Sequence, residues 1–186
     1  MTSNDISRRG LLGFFAATAV AAAPVSANAF GIRRRAGDFR RIAMYNPRTG
    51  ESIDTVYYID GRYVRDALNE INHFMRDWRT GQVIGIDPRA IDIAAATHRA
   101  LNTNEPYMML SGYRSPQTNA MLARSSGGVA RNSLHMQGKA ADLRLRSRSV
   151  GQIYQAAASF RAGGVGRYSR SNFVHVDSGV VRTWGA

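Results

Sequence analysis

The 186-residue chain contains no cysteine. That excludes a disulfide framework, a thiolate metal site and a cysteine nucleophile, so any metal it holds is bound through nitrogen and oxygen. Histidine is scarce, limited to His73, His98, His135 and His175. Lysine is nearly missing: Lys139 stands alone, and the 25 basic residues are otherwise all arginine, against 13 acidic ones and a formal net charge of +12. Such a balance fits nucleic acid, an anionic wall polymer or a membrane surface as partner. Long apolar runs are missing too. The stretch Gly13–Ala23 falls short of the roughly 20 residues that a spanning helix needs, which argues against a stable membrane span.

That same stretch has another reading. Ser7-Arg8-Arg9-Gly10-Leu11-Leu12 precedes it, and Pro24 with the small-residue run Ala27-Asn28-Ala29 follows it. This is the layout of a twin-arginine signal peptide, residues 1–29, with cleavage after Ala29. A mature protein of residues 30–186 then acts in the periplasm, where nucleic acid is not the expected partner. Its length fits one domain with one core.

Along residues 30–186, Gly31–Arg35 is a basic stretch without evident chemistry. Arg40–Tyr45 and Ile53–Ile59 read as strands joined by the turn Asn46-Pro-Arg-Thr-Gly50. Val64, Leu68, Ile71, Phe74, Met75 and Trp78 recur at helical spacing and predict a helix over Val64–Trp78. Asp87 and Pro88 open a second helix, Pro88–Leu101. The strand Tyr107–Leu110 runs into a loop carrying Arg114. A helix Gln117–Arg124, a strand Lys139–Arg146 and a helix Val150–Phe160 follow. The glycines of Gly163-Gly-Val-Gly166 lack the residues of a phosphate loop and read as a tight helix-to-strand turn. In the last strand, Phe173–Asp177, alternation puts Phe173, His175 and Asp177 on one face.

Ser133-Leu-His-Met-Gln-Gly-Lys-Ala-Ala-Asp142 sets a histidine and an aspartate seven positions apart across a glycine turn, and His175 offers a third donor. His135, Asp142 and His175 around one zinc ion leave a fourth position open for water, as catalytic zinc sites do. Nitrogen and carboxylate donors also suit copper, nickel or iron. Alternation in Lys139–Arg146 turns Asp142 away from the apolar face of Ala141, Leu143 and Leu145. His73 and His98 have no metal-binding partner at suitable spacing.

The runs SGYRSPQTN (Ser111–Asn119), SLHMQGKAAD (Ser133–Asp142) and NFVHVDSG (Asn172–Gly179) resemble the zinc D-Ala-D-Ala peptidase superfamily, to which the hedgehog fold is related. The resemblance is greatest to its exported murein endopeptidase K branch, through the leader, GESI at Gly50–Ile53, NHFMRDWR at Asn72–Arg79 and RAGGVGRY at Arg161–Tyr168. It implies an α+β domain with a small antiparallel sheet flanked by helices. It further implies hydrolysis of peptide cross-links in peptidoglycan, with stem peptides as substrate. His135, Asp142 and His175 would bind zinc, and Arg114 would hold a substrate carboxylate or carbonyl or stabilise an oxyanion.

Relatives place a general base three or two residues before the last ligand, where this chain has Asn172 and Phe173. Asp177, on the face of His175, is the candidate base; its other role would be to orient an imidazole or accept from an arginine. Ser133 either binds substrate or shapes its loop, and Gln117 and Asn119 read as loop supports. A carboxypeptidase acting on stem peptides and a non-catalytic wall-binding module are the rival functions on this scaffold.

Overall fold

Asn46 accepts from the Arg48 N–H and Gly50 takes a positive φ of 75°, so the chain reverses between strand β1 (Phe39–Tyr45) and strand β2 (Ser52–Ile59) as an antiparallel pair. The computed structural model describes residues 38–126 and 128–185. The expected leader and the basic stretch Gly31–Arg35 lie outside the described residues. A two-residue strand β3 (Arg62–Tyr63) precedes helix α1 (Arg65–Phe74) and helix α2 (Pro88–Ala100). Strand β4 (Tyr107–Ser111), helix α3 (Pro116–Ser125) and a 3-10 turn (Leu134–Gln137) come next. Strand β5 (Ala140–Arg144), helix α4 (Val150–Ser159) and strands β6 (Gly164–Tyr168), β7 (Phe173–Asp177) and β8 (Arg182–Trp184) complete the order.

The fold is α+β, as expected, but its sheet is neither small nor wholly antiparallel. Eight strands form one mixed sheet in the order β3-β2-β1-β4-β5-β7-β6-β8, with β1 parallel to β4 and β6 parallel to β8. The reasons are topological. The connection from β1 to β4 contains a hairpin and two helices, long enough to return the chain in the same direction. After β7 the chain reverses once more and settles on the free side of β6, so β8 runs parallel to it.

Helix α1 stops at Phe74, one turn short of the extent its apolar spacing predicts. The Asp77 side chain takes the Arg79 N–H, and the Asp77 carbonyl takes the N–H of Gly81, a local alternative to helix that aspartate favours. Met75 and Trp78 therefore leave the helix, and Met75 is wholly buried against Gly112. Asp87 caps α2 by accepting from Arg89 N, and Ser149 closes a capping box with Gln152 on α4.

The core is one apolar cluster that includes Ile42, Met44 and Tyr57 from the first hairpin, Ile91 and Ile93 from α2, Ile153 from α4, and Leu143, Val174 and Val176 from β5 and β7. Helices α2 and α4 pack on each other and both contact β7. Asp92 of α2 accepts from Tyr57 and Tyr63 and pairs with Arg40 at 2.8 Å, which ties that helix to the hairpin by a buried polar knot. With α2 and α4 covering one face of β6 and β7, the opposite face is free to line a cleft.

Candidate metal centre

Strand register assembles the site. Ser111 pairs with Asp142, Asp142 with His175, His175 with Gly166, and Gly166 with Trp184, one row across β4, β5, β7, β6 and β8. Residues in such a row share a face and sit within side-chain reach. His135 arrives from outside the sheet. Ser133 caps its 3-10 turn by accepting from the His135 N–H, and Gly138 ends the turn at φ 65°. A side chain at Gly138 would also strike the carbonyl of Gly85. The turn and its glycine fold His135 back over Asp142, which explains the spacing of the two ligands in sequence.

The three candidate ligands meet. His135 Nε2 lies 3.1 Å from Asp142 Oδ1 and 3.2 Å from His175 Nδ1, and His175 Nδ1 lies 2.9 Å from the same Asp142 oxygen. Each imidazole is fixed from behind. His135 Nδ1 is 2.6 Å from the carbonyl of Gly112 and His175 Nε2 is 3.0 Å from Asp177 Oδ2. Both partners can only accept, so both rear nitrogens carry the hydrogen and the forward nitrogens present lone pairs. Two lone pairs and a carboxylate oxygen then face one another, an arrangement that a cation or a proton must reconcile. A tetrahedral ion bound at about 2.0–2.1 Å needs donors roughly 3.3 Å apart. The observed triangle is close to that size, and the residues fit a metal.

Electrostatics follow from this packing. Burial holds His135 below the ordinary imidazole value. Burial is also the largest influence on His175, but hydrogen bonds and charge from Asp142 and Asp177 outweigh it and raise the ring to about 9 in the metal-free cluster. For Asp142 burial again works upward, and the two imidazoles overcome it, leaving the carboxyl well below its usual range. Asp177 is likewise held at about 2 by His175, Arg182 and the Gly179 N–H against the upward push of burial.

Arg114 Nη2 donates to Asp142 Oδ2 at 2.6 Å and its Nε donates to Ser111 at 2.9 Å. Ser133 is buried and lends its hydroxyl to the turn. Both line, with His135, Asp142 and His175, a cleft of about 790 Å³. Asp177 does not face that cleft. It is fully buried behind His175, where it takes hydrogen bonds from the N–H groups of Gly164 and Gly179 and from both ends of the Arg182 fork. Asn119 donates to the carbonyls of Ala130 and Arg131. Its loop-supporting position is clear. His98 bonds the Glu105 carbonyl and stacks edge-on with Tyr107, away from the triangle.

Arg182 and Trp184 were not anticipated from sequence, nor was β8. The signal lay in the glycine run. A Cβ at Gly164 would come within 2.4 Å of both Asp177 and Arg182, and one at Gly166 within 2.4 Å of Trp184. Those glycines are strand residues rather than a turn, and they are bare so that Arg182 can cross to Asp177 and Trp184 can cross to His175, with ring centroids 5.2 Å apart.

Asp77 is a further support. Its carboxylate accepts from Ser115 N at 2.9 Å, and Tyr113 N donates to Met75 O at 2.7 Å. The turn after α1 thereby holds the loop that supplies the Gly112 carbonyl and Arg114. Burial pushes the Asp77 carboxyl up, and hydrogen bonds from Ser115, Thr118 and Arg79 more than reverse it, to about 2. The folded value lies below the ordinary 3.8, so the stabilisation is present above that value and is lost as pH falls through about 2. Asp77→Asn is expected to lower stability by about 1–3 kcal/mol at neutral pH. Thermal melts compared at about pH 7 and about pH 2 check it, because the gap between wild type and variant should shrink in acid.

An α+β domain that sets a buried His-Asp-His triangle at the base of a sheet-lined cleft has the form of a metallopeptidase. The chain belongs to the peptidoglycan L,D-endopeptidase MepK family, whose profile matches residues 34–184. It is 43% identical over 146 residues to peptidoglycan L,D-endopeptidase MepK of Escherichia coli (strain K12), covering 78% of this chain and 80% of that protein. It is 40% identical over 147 residues to the probable peptidoglycan L,D-endopeptidase MepK of Haemophilus influenzae, covering 78% of each. Among the described residues, no helix is long and apolar enough to cross a membrane.

Proposed function

We propose that this chain is a zinc-dependent murein endopeptidase, exported by the twin-arginine route and acting in the periplasm on peptide cross-links between stem peptides. The observation that carries the reading is the triangle of His135, Asp142 and His175, with both rear nitrogens pinned. The relatives bear the name L,D-endopeptidase, which points to an L,D cross-link as the bond cut. Zinc held by three protein ligands lowers the pKa of its water to about 7 and polarises a carbonyl oxygen.

The remaining work falls to this chain's own residues. Asp142 is fixed by Arg114 through one oxygen, so the other keeps its aim at the histidines. The Arg114 fork, which lines the cleft, is placed to hold a substrate carbonyl or carboxylate, for which its planar donors are suited. Asp177 orients His175 and takes no proton from the cleft, since His175 stands between them and its oxygens are already occupied. Ser133 shapes the ligand turn. The positive net charge favours residence on a carboxylate-bearing polymer and weakens with salt.

Cross-linked muropeptides incubated with metal-loaded protein and followed by mass spectrometry test this. Dimers should become monomers, and a chelator should stop the conversion. Release of terminal D-Ala from monomers with dimers intact would make the enzyme a carboxypeptidase. Binding without cleavage of either would leave a wall-binding module.

A further inference from the structure

Beside the metal triangle the cleft has an aromatic wall. Tyr168 of β6 pairs across the sheet with Phe173 of β7, and their rings stack with centroids 4.5 Å apart at 13°. Trp184 of β8 lies over Gly166 and against His175, and its indole N–H donates to the Tyr168 oxygen at 3.1 Å. Tyr168, Phe173 and Trp184 line the cleft together with His135, Asp142 and His175.

That indole bond decides the direction of the phenol. A tryptophan N–H is a donor only, so the Tyr168 oxygen must accept, and its own hydrogen remains to be given elsewhere. Among the described residues nothing accepts it. The ring is half-buried, held on one side by Phe173 and at its tip by Trp184, and it lines the cleft, so the hydroxyl is left to donate away from the indole. A donor fixed in a cleft in this way costs no reorganisation when an acceptor arrives.

We infer that Tyr168 is a substrate-binding residue. Its hydroxyl donates to an acceptor oxygen, a peptide carbonyl or a carboxylate, of the stem peptide in the cleft, and Trp184 is the positioning residue that sets the direction. This rests on the function proposed above. It adds a contact that comes from the sheet edge, on the side of His175 marked by Trp184, and that is separate from Arg114.

Tyr168→Phe deletes the hydroxyl and keeps the stacked ring, so it isolates the donor. With the full chain, kcat and KM are measured on cross-linked muropeptide dimers. In parallel, calorimetry gives the Kd of chelator-treated protein for the uncross-linked tetrapeptide monomer. Tyr168→Phe is expected to lower kcat/KM by roughly ten- to a hundredfold, and to weaken peptide binding, with metal content and melting temperature unchanged. A fall in kcat places the acceptor at the scissile carbonyl, and a rise in KM alone places it at a group bound equally in ground and transition states; both sustain the contact. Trp184→Phe should move the same constants in the same direction by a smaller factor. Unchanged kcat, KM and Kd in Tyr168→Phe would overturn the inference while the endopeptidase reading stood. If the wild type left dimers intact, that reading would fall, and the Kd comparison would still decide whether Tyr168 touches the wall peptide.

Discussion

His135→Ala, Asp142→Ala and His175→Ala should each reduce hydrolysis of cross-linked muropeptides to background and bring bound zinc close to zero. Every one of these residues supplies one corner of a triangle with edges of 2.9–3.2 Å. Removing a corner leaves two donors, too few for a site that must also keep a position open. Asp142→Ala has a second consequence, because Arg114 loses the carboxylate that holds it and the cleft loses its orientation. His73→Ala and His98→Ala serve as controls. His73 is exposed on α1, and His98 bonds a carbonyl far from the triangle, so both should retain activity, with some stability lost at His98. Circular dichroism and elemental analysis accompany the assay, since a lost ligand can also cost folded protein. An equal loss at His98, or full activity in a zinc-free variant, would sink the ligand assignment.

The meeting of His135, Asp142 and His175 was legible because these residues obey local rules. A glycine turn between His135 and Asp142, and strand alternation around His175, are properties of short segments, and the strand that carries Asp142 was equally readable. Alternation correctly turned Asp142 away from the apolar face, yet the residue is 5% exposed. The polar side of the strand is itself roofed by His135, His175 and Arg114, which no local pattern can show. The end of α1 is hidden in the sequence, since apolar spacing continues through Met75 and Trp78 while Asp77 offers the backbone a tighter turn. The parallel pairs of the sheet depend on which edge a distant strand reaches. Gly164 and Gly166 are the clearest instance: their meaning is set by Asp177, Arg182 and Trp184, side chains from neighbouring strands that lie where a Cβ would be. In sequence they read as a tight helix-to-strand turn, and in the sheet they are space reserved for two crossings that stiffen His175.

Asp177→Asn should weaken zinc binding by roughly ten- to a hundredfold and leave turnover near normal once metal is saturating. The orienting role proposed for Asp177 rests on where its carboxylate lies. A general base must reach a water in the cleft, directly or through one intervening water. Asp177 is fully buried, its Oδ2 bonded to His175 Nε2 at 3.0 Å and to Arg182 at 2.7 Å, its Oδ1 to the N–H groups of Gly164 and Gly179. In the proposed orienting role this carboxylate keeps the hydrogen on the rear nitrogen of His175, makes the ring more electron-rich and anchors Arg182, whose guanidinium lies 4.8 Å from the Trp184 ring centroid. An asparagine oxygen can still accept from the imidazole, but without the charge and with its NH2 turned to the Gly164 and Gly179 N–H groups, so the ligand stays oriented, binds less tightly and loses some stability. Asp177→Ala removes the acceptor altogether and should be worse on both affinity and melting temperature, with the Gly164 and Gly179 N–H groups losing their partner. Turnover measured against zinc concentration decides the matter: an orienting residue shifts the midpoint of that curve, whereas a base lowers its plateau by about 10²–10⁴-fold. A depressed plateau in Asp177→Asn, with an unshifted midpoint, would return Asp177 to the role of proton acceptor and require the loop after β7 to open during turnover.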